Sequence, residues 1–181
     1  MKQGHRGPAS VVVRTAAAHD AMCLSGLATY VFLDTYASEG MREDLAREAF
    51  TTCGAGCFES RVAHDGTEIM LAEANGHAVA FCEVGDSRRC PCPGVDEGVE
   101  LVRLYVHPRW QRMQLGTRLL REAEHAARRR GAPHLWLTAW AGNTRALAFY
   151  ASAGYECLGT TLYVFDGHAY ENVVLARKIA A

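Results

Sequence analysis

Apolar positions along the chain alternate between a period of two and a period near 3.6, and each change of period marks a predicted element. Residues 10–14 are a short β-branched run. Residues 16–33 space Met22, Leu24, Leu27, Ala28, Val31 and Phe32 as one helical stripe, and residues 43–50 do the same with Leu45, Ala46, Ala49 and Phe50. Three stretches of alternating or continuous apolar character follow, at 57–63, 68–74 and 77–84. Asp65-Gly66 and Asn75-Gly76 separate them, which predicts an antiparallel meander.

Past a polar loop at 85–98, residues 99–106 (VELVRLYV) read as a strand that Pro108 stops. Leu115, Leu119, Leu120, Ala123, Ala126 and Ala127 then form one face of a long helix reaching residue 130, with Arg118, Arg121, Glu122, His125 and Arg129 on the polar face and Gly131 at its end. Residues 134–141 are a buried-type strand. Asn143 opens a helix over 144–153 with Ala146, Leu147, Phe149, Tyr150 and Ala153 facing inward, and Gly154 terminates it. Residues 155–165 and 172–179 are strands turned at Asp166-Gly167. This order predicts an α/β (α+β) fold: a mixed, mostly antiparallel sheet of about seven strands with helices on both faces. The strands 99–106 and 134–141, joined by a helical crossover, are expected to run parallel.

Composition narrows the picture only slightly. With 181 residues and 49% hydrophobic content the chain suits a single domain over 1–181, with 1–9 as a loose N-terminal extension. A formal net charge of −1 gives no nucleic-acid footprint. No run of about 18 apolar residues suggests a membrane span, so the expected setting is cytoplasmic. Seven cysteines, an odd number, read as free thiols. Cys90-Pro91-Cys92 lacks a second ligand pair at a usual spacing, so no metal is expected and these thiols are read as surface groups.

The candidate chemistry starts at the turn HPRWQRMQLG between strand 99–106 and the long helix. A tight strand-to-helix turn leaves first-turn amides without partners and aims the positive end of the helix dipole at its mouth, a setting that favours a pyrophosphate. Gln111-Arg112-Met113-Gln114-Leu115-Gly116 resembles the Gln/Arg-x-x-Gly-x-Gly signature of the GCN5-related N-acetyltransferase (GNAT) superfamily, with Gln114 standing where that pattern has its first glycine. Asn143-x-x-Ala146-x-x-Phe149-Tyr150-x-x-x-Gly154-Tyr155 is similar to a second segment of the same superfamily. The stretch 32–36 with its following helix, and the ending YENVVLARKI, resemble the bacterial branch of polyamine-type acetyltransferases. There Asp34 and Glu39 could draw in a cationic amine; solvated loop charges are the alternative. The resemblance implies acetyl-CoA as co-substrate without a metal, an amine acceptor on a small molecule or peptide, a central parallel pair splayed at the cofactor site, and a homodimer.

Moving an acetyl group from a thioester to an amine needs a deprotonated amine, a polarised carbonyl and a proton for the departing thiolate. Glu100 is the base candidate; strand alternation puts it on one face with Val102, Leu104 and Val106, and a solvated strand end or pairing with an arginine such as Arg103 is the competing reading. Tyr150 is the acid candidate. Backbone amides of Leu104 and Val106 would meet the pantetheine and thioester if a bulge splays the strand. Gln111 and Arg112 begin the phosphate turn, Arg112 with a side-chain role, and Met113, Gln114, Leu115, Gly116 and Thr117 contribute N–H groups. Asn143 is an N-cap, and the resemblance also places it against the pantetheine arm. These roles describe direct transfer in a ternary complex; a non-catalytic acyl-CoA-binding or regulatory module is the alternative.

Overall fold

Hairpins close best when both central turn residues sit at positive φ, because that twist matches the strands on either side. Asn75 (φ 51°) with Gly76 (75°), and Asp166 (47°) with Gly167 (75°), adopt this geometry and join two pairs of strands. The computed structural model of the chain describes residues 10–85 and 89–179, so the expected N-terminal extension lies outside the described residues. Its elements are β1 (Val11–Thr15), α1 (Ala21–Tyr36), α2 (Glu43–Thr52), α3 (Ala55–Val62), β2 (Glu68–Ala74), β3 (His77–Val84), β4 (Val99–Val106), α4 (Leu115–Arg129), β5 (His134–Trp140), α5 (Thr144–Ser152), β6 (Glu156–Phe165) and β7 (His168–Lys178).

The seven strands form one sheet in the order β1-β2-β3-β4-β5-β7-β6. Every neighbouring pair is antiparallel except β4 and β5, which are parallel across the α4 crossover, as the spacing predicts. On one face α4 buries Leu115, Leu119, Leu120, Ala123, Ala126 and Ala127 against Cys82, Val84, Val99 and Leu101. Each fully buried leucine there is worth about 1.5–3 kcal/mol. The other face carries Leu24, Leu27 and Ala28 of α1 and Phe58 of α3, packed on Ile69, Leu71 and Phe81. Among the described residues no helix is long and apolar enough to cross a membrane.

Several expectations are corrected. Residues 57–63 are not a strand of a meander: α3 occupies that stretch, and Asp65-Gly66 turns a helix into β2 instead of closing a hairpin. Cys57, Phe58, Arg61 and Val62 repeat at helical spacing, and Phe58 is fully buried with its ring edge-on to Phe81 at 5.7 Å. The first helix begins five residues later than the apolar pattern suggests, at Ala21. A short 3₁₀ turn precedes it, in which the Asp20 carboxylate accepts the Ala17 N–H at 2.8 Å. Met22 is exposed and not part of the buried stripe. Cys90 and Cys92 are not surface thiols; both are buried beside Trp136 and Val174.

Candidate active site

The register of β4 decides the geometry. Glu83 of β3 stands opposite Arg103 and the next residue, Val84, opposite Leu101, so Val102 is an unopposed bulge residue. A Cβ on Gly85 would lie 2.8 Å from Val102 Cγ2, so a residue without one accommodates the bulged side chain. The bulge resets the alternation. Leu104 and Val106 pack toward α4, whereas Glu100 opens onto the opposite face with Arg103 and Tyr105. The expected row Glu100, Val102, Leu104 and Val106 on one face is therefore broken between Val102 and Leu104.

Beyond the bulge, β4 and β5 part company. They pair only at Val99 with Leu135 and Glu100 with Trp136, while β5 keeps β7 as its partner along its whole length. His107 donates its N–H to Val79 C=O at 2.9 Å, which makes 107 and, by alternation, 105 and 103 the hydrogen-bonded positions against β3. The N–H groups of Leu104 and Val106 consequently point into the gap. The Val106 carbonyl there accepts the Gln111 Nε2 donor at 3.3 Å, and Gln111 Oε1 accepts from Arg145 Nη1 at 2.7 Å. Arg145, on α5, brings a cation beside the turn that the sequence pattern did not single out.

The turn is held open. Arg112 (φ 62°) and Gln114 (φ 61°) both adopt the left-handed region. Gln114 thus takes the conformation that the missing glycine would supply, and its exposed side chain makes no capping bond to α4. Among the described residues, the N–H groups of Arg112, Met113, Gln114, Leu115, Gly116 and Thr117 donate to no backbone or side-chain acceptor; the first helical bond runs from Arg118 N–H to Gln114 C=O at 2.9 Å. Beside them a cleft of about 400 Å³ is lined by Trp110, Met113, Gln114, Leu115, Thr117, Arg118 and Arg121.

Across the gap, Asn143 caps α5 by accepting the Ala146 N–H at 3.1 Å. Tyr150 is buried about two turns further on, its ring edge-on to Phe149 and Tyr155. Burial, with smaller contributions from Cys82 and Tyr36, pushes its phenol up, so it keeps its proton at neutral pH. Its hydroxyl makes no hydrogen bond among the described residues.

On the α1–α3 face lies a cavity of about 1120 Å³. Glu100, Val102, Arg103 and Tyr105 form its floor with Thr138 and Trp140 of β5, and residues of α1, α2, α3 and the β6–β7 hairpin form its walls. Tyr150, Asn143 and the phosphate turn lie outside that lining, on the other side of the gap. Asp34 is exposed and outside it too, whereas Glu39 sits at its rim. The walls hold groups the sequence did not flag. Glu83, buried, accepts Arg103 Nη1 at 2.7 Å and stands 3.6 Å from Arg61 Nε. Tyr163, whose phenol burial and the Glu48 hydrogen bond push up to about 12, donates to Glu48 at 2.6 Å. Tyr170 donates to Asp44 at 3.0 Å. Through these two tyrosines α2 is tied across the cavity to the last hairpin.

The model of the "Acetyltransferase (GNAT) family" matches residues 26–155, a span that contains the gap, the turn and Tyr150. The chain belongs to the GNAT family. This GNAT chain is 25% identical over 151 residues to an uncharacterized N-acetyltransferase from the pepI 3′ region of Lactobacillus delbrueckii subsp. lactis, covering 82% of the chain and 86% of that relative. Its fold is shared with the PaiA N-acetyltransferase of Thermoplasma acidophilum in complex with coenzyme A, at TM-score 0.72, 20% identity and coverage of 93% of this chain and 99% of that one. It is shared also with YncA of Salmonella typhimurium with its cofactor acetyl-CoA, at TM-score 0.69, 22% identity and 95% coverage of both. The protein is accordingly an N-acetyltransferase, an acyl-transferring enzyme.

Proposed function

We propose that the protein transfers an acetyl group from acetyl-CoA directly to the amine of a small molecule or peptide, both bound at once in a single N-acetyltransferase domain. The observation that carries this reading is two groups of backbone donors without an acceptor among the described residues, Arg112 to Thr117 in the turn and Leu104 with Val106 at the gap. The turn amides suit the pyrophosphate, with the α4 dipole behind them. Arg112 adds a side-chain charge. The β4 donors suit the pantetheine amides and the thioester carbonyl, whose oxygen gains charge as the amine attacks. Similar folds that carry coenzyme A and acetyl-CoA support the choice of co-substrate.

In this scheme Glu100, opening onto the large cavity, accepts the proton of the incoming ammonium, directly or through water, so that the neutral amine attacks the thioester carbon. The tetrahedral intermediate then collapses with loss of the CoA thiolate. Tyr150, protonated and with no hydrogen-bond partner among the described residues, donates to that sulfur from the opposite bank of the gap. A polyamine acceptor is the second reading: Glu39, Glu48, Glu83 and Glu100 line the cavity, but Glu48 already accepts from Tyr163 and Glu83 from Arg103. Release of free thiol on addition of an amine panel to protein and acetyl-CoA tests the function. Calorimetric binding of acetyl-CoA with no thiol release from any amine would refute it.

A further inference from the structure

The charges on the cavity wall are unevenly answered. Glu48 is met by the Tyr163 hydroxyl at 2.6 Å, and Asp44, just behind the wall, by Arg42 at 2.6 Å and Tyr170 at 3.0 Å. Glu83, by contrast, is one carboxylate shared by two guanidiniums. Arg103 spends one N–H on it. Arg61 spends one on the Thr52 carbonyl at 2.9 Å, stands over the Phe58 ring at 5.0 Å, and meets Glu83 only at 3.6 Å. Each guanidinium carries five N–H donors in a rigid fork, so most of these donors have no acceptor among the described residues. Burial, then the nearby Arg103 charge, holds Arg61 below the usual arginine range, whereas Arg103, despite its burial, is held above that range by Glu83. The two side chains are well enclosed, 23% and 14% exposed, in a space large enough for a ligand. Above them Tyr36 packs on Trp140 at 5.7 Å and Phe165 stacks on Tyr170 at 4.7 Å, leaving aromatic surface around the same cavity.

We infer that Arg61 and Arg103 form a carboxylate-binding fork, and that the acceptor is an amine that also bears a carboxylate, a small amino acid with an apolar body, and not a polycation. This rests on the reading of the large cavity as the acceptor site. The acid group of such a molecule takes the open donors of the two arginines, its apolar part lies against Tyr36 and Trp140, and its amine is left to approach the gap between β4 and β5. A polyamine would set a second positive charge beside these two guanidiniums, whose shared carboxylate Glu83 is already engaged by both.

The test compares the free L-amino acids, their C-terminal amides and spermidine as acceptors, following thiol release with acetyl-CoA held constant. The inference expects an apolar amino acid to exceed its own amide by at least about tenfold in kcat/KM, because a fork left without its anion loses a charge-assisted pair. It expects Arg61→Gln to shrink that acid-to-amide ratio to within about threefold, chiefly through KM, a change that a general loss of packing would not produce. Arg103→Gln is the second variant; the wild-type ratio decides the matter even if that protein fails to fold. Equal use of acid and amide, or preference for spermidine, overturns the carboxylate fork while the N-acetyltransferase reading stands. Thiol release with none of the panel overturns the fork as well. Failure to bind acetyl-CoA in calorimetry removes the underlying reading instead.

Discussion

Leu101 and Arg103, two positions apart on one strand, project to opposite faces of the sheet. Leu101 lies under α4 opposite Val84, and Arg103 reaches Glu83 in the large cavity. Val102, left without an opposite number, makes the difference. It is the reason the Glu100 carboxylate opens onto the cavity while the amides of Leu104 and Val106 address the gap.

From that placement, Glu100→Gln should lower kcat/KM by about 10²- to 10⁴-fold, the range for removal of a general base, and should leave acetyl-CoA binding almost unchanged. Steady-state thiol release and calorimetry check both halves. Turnover within a factor of three of the parent would take the base role from Glu100.

The bulge itself is testable through Gly85. A methyl added there meets Val102 Cγ2 at 2.8 Å, and a valine on a strand has little freedom to move aside. Gly85→Ala should cost about 1–3 kcal/mol in urea unfolding, and Val102→Ala in the same chain should recover most of that loss. Strictly additive effects of the two substitutions would show that the contact is not the cause.

Tyr150→Phe should reduce turnover by about 10²-fold or more, with acetyl-CoA affinity and stability close to those of the parent, since the hydroxyl has no hydrogen-bond partner among the described residues. Matched kcat and Kd measurements separate the two effects, and an unaltered kcat would exclude the phenol as the proton source.

The N-terminal strand is held by charge. Arg14 donates to both oxygens of Asp20 at 2.7 and 2.8 Å, and the Ala17 N–H adds a third bond, so the Asp20 carboxyl is lowered to about 2. A folded-state pKa below the unfolded one stabilises at pH above the unfolded value and loses its effect as pH falls through the folded one. Asp20→Asn should therefore cost about 1–2 kcal/mol at pH 7, with the gap from the parent closing between about pH 4 and pH 2. A difference independent of pH would remove the ion pair as its source.

Much of this was legible in the sequence, for identifiable reasons. β2, β3 and β4 begin and end where alternation and the Asn75-Gly76 turn put them, and Asn143 caps α5 as its position before the apolar stripe implied. The turn at residues 111–117 could be read because helix starts leave donors free whatever the tertiary context. Residues 57–63 misled because two apolar pairs, Cys57-Phe58 and Val62-Ala63, fit either period over so short a stretch, and an Asp-Gly turn stood beside them. The bulge had no local signature: it is set by Gly85 across the strand pair. Arg61 was hidden in the misread segment, and Arg103 was weighed only as a partner for Glu100, whereas its bond is to Glu83.

The account depends above all on backbone amides gripping coenzyme A, and amide chemical shifts report that directly. Titrating CoA into the isotope-labelled protein should move the N–H resonances of Arg112 to Thr117, together with those of Leu104 and Val106, more than those of β6 or α3. Unmoved resonances in that set, with saturable CoA binding elsewhere, would contradict it.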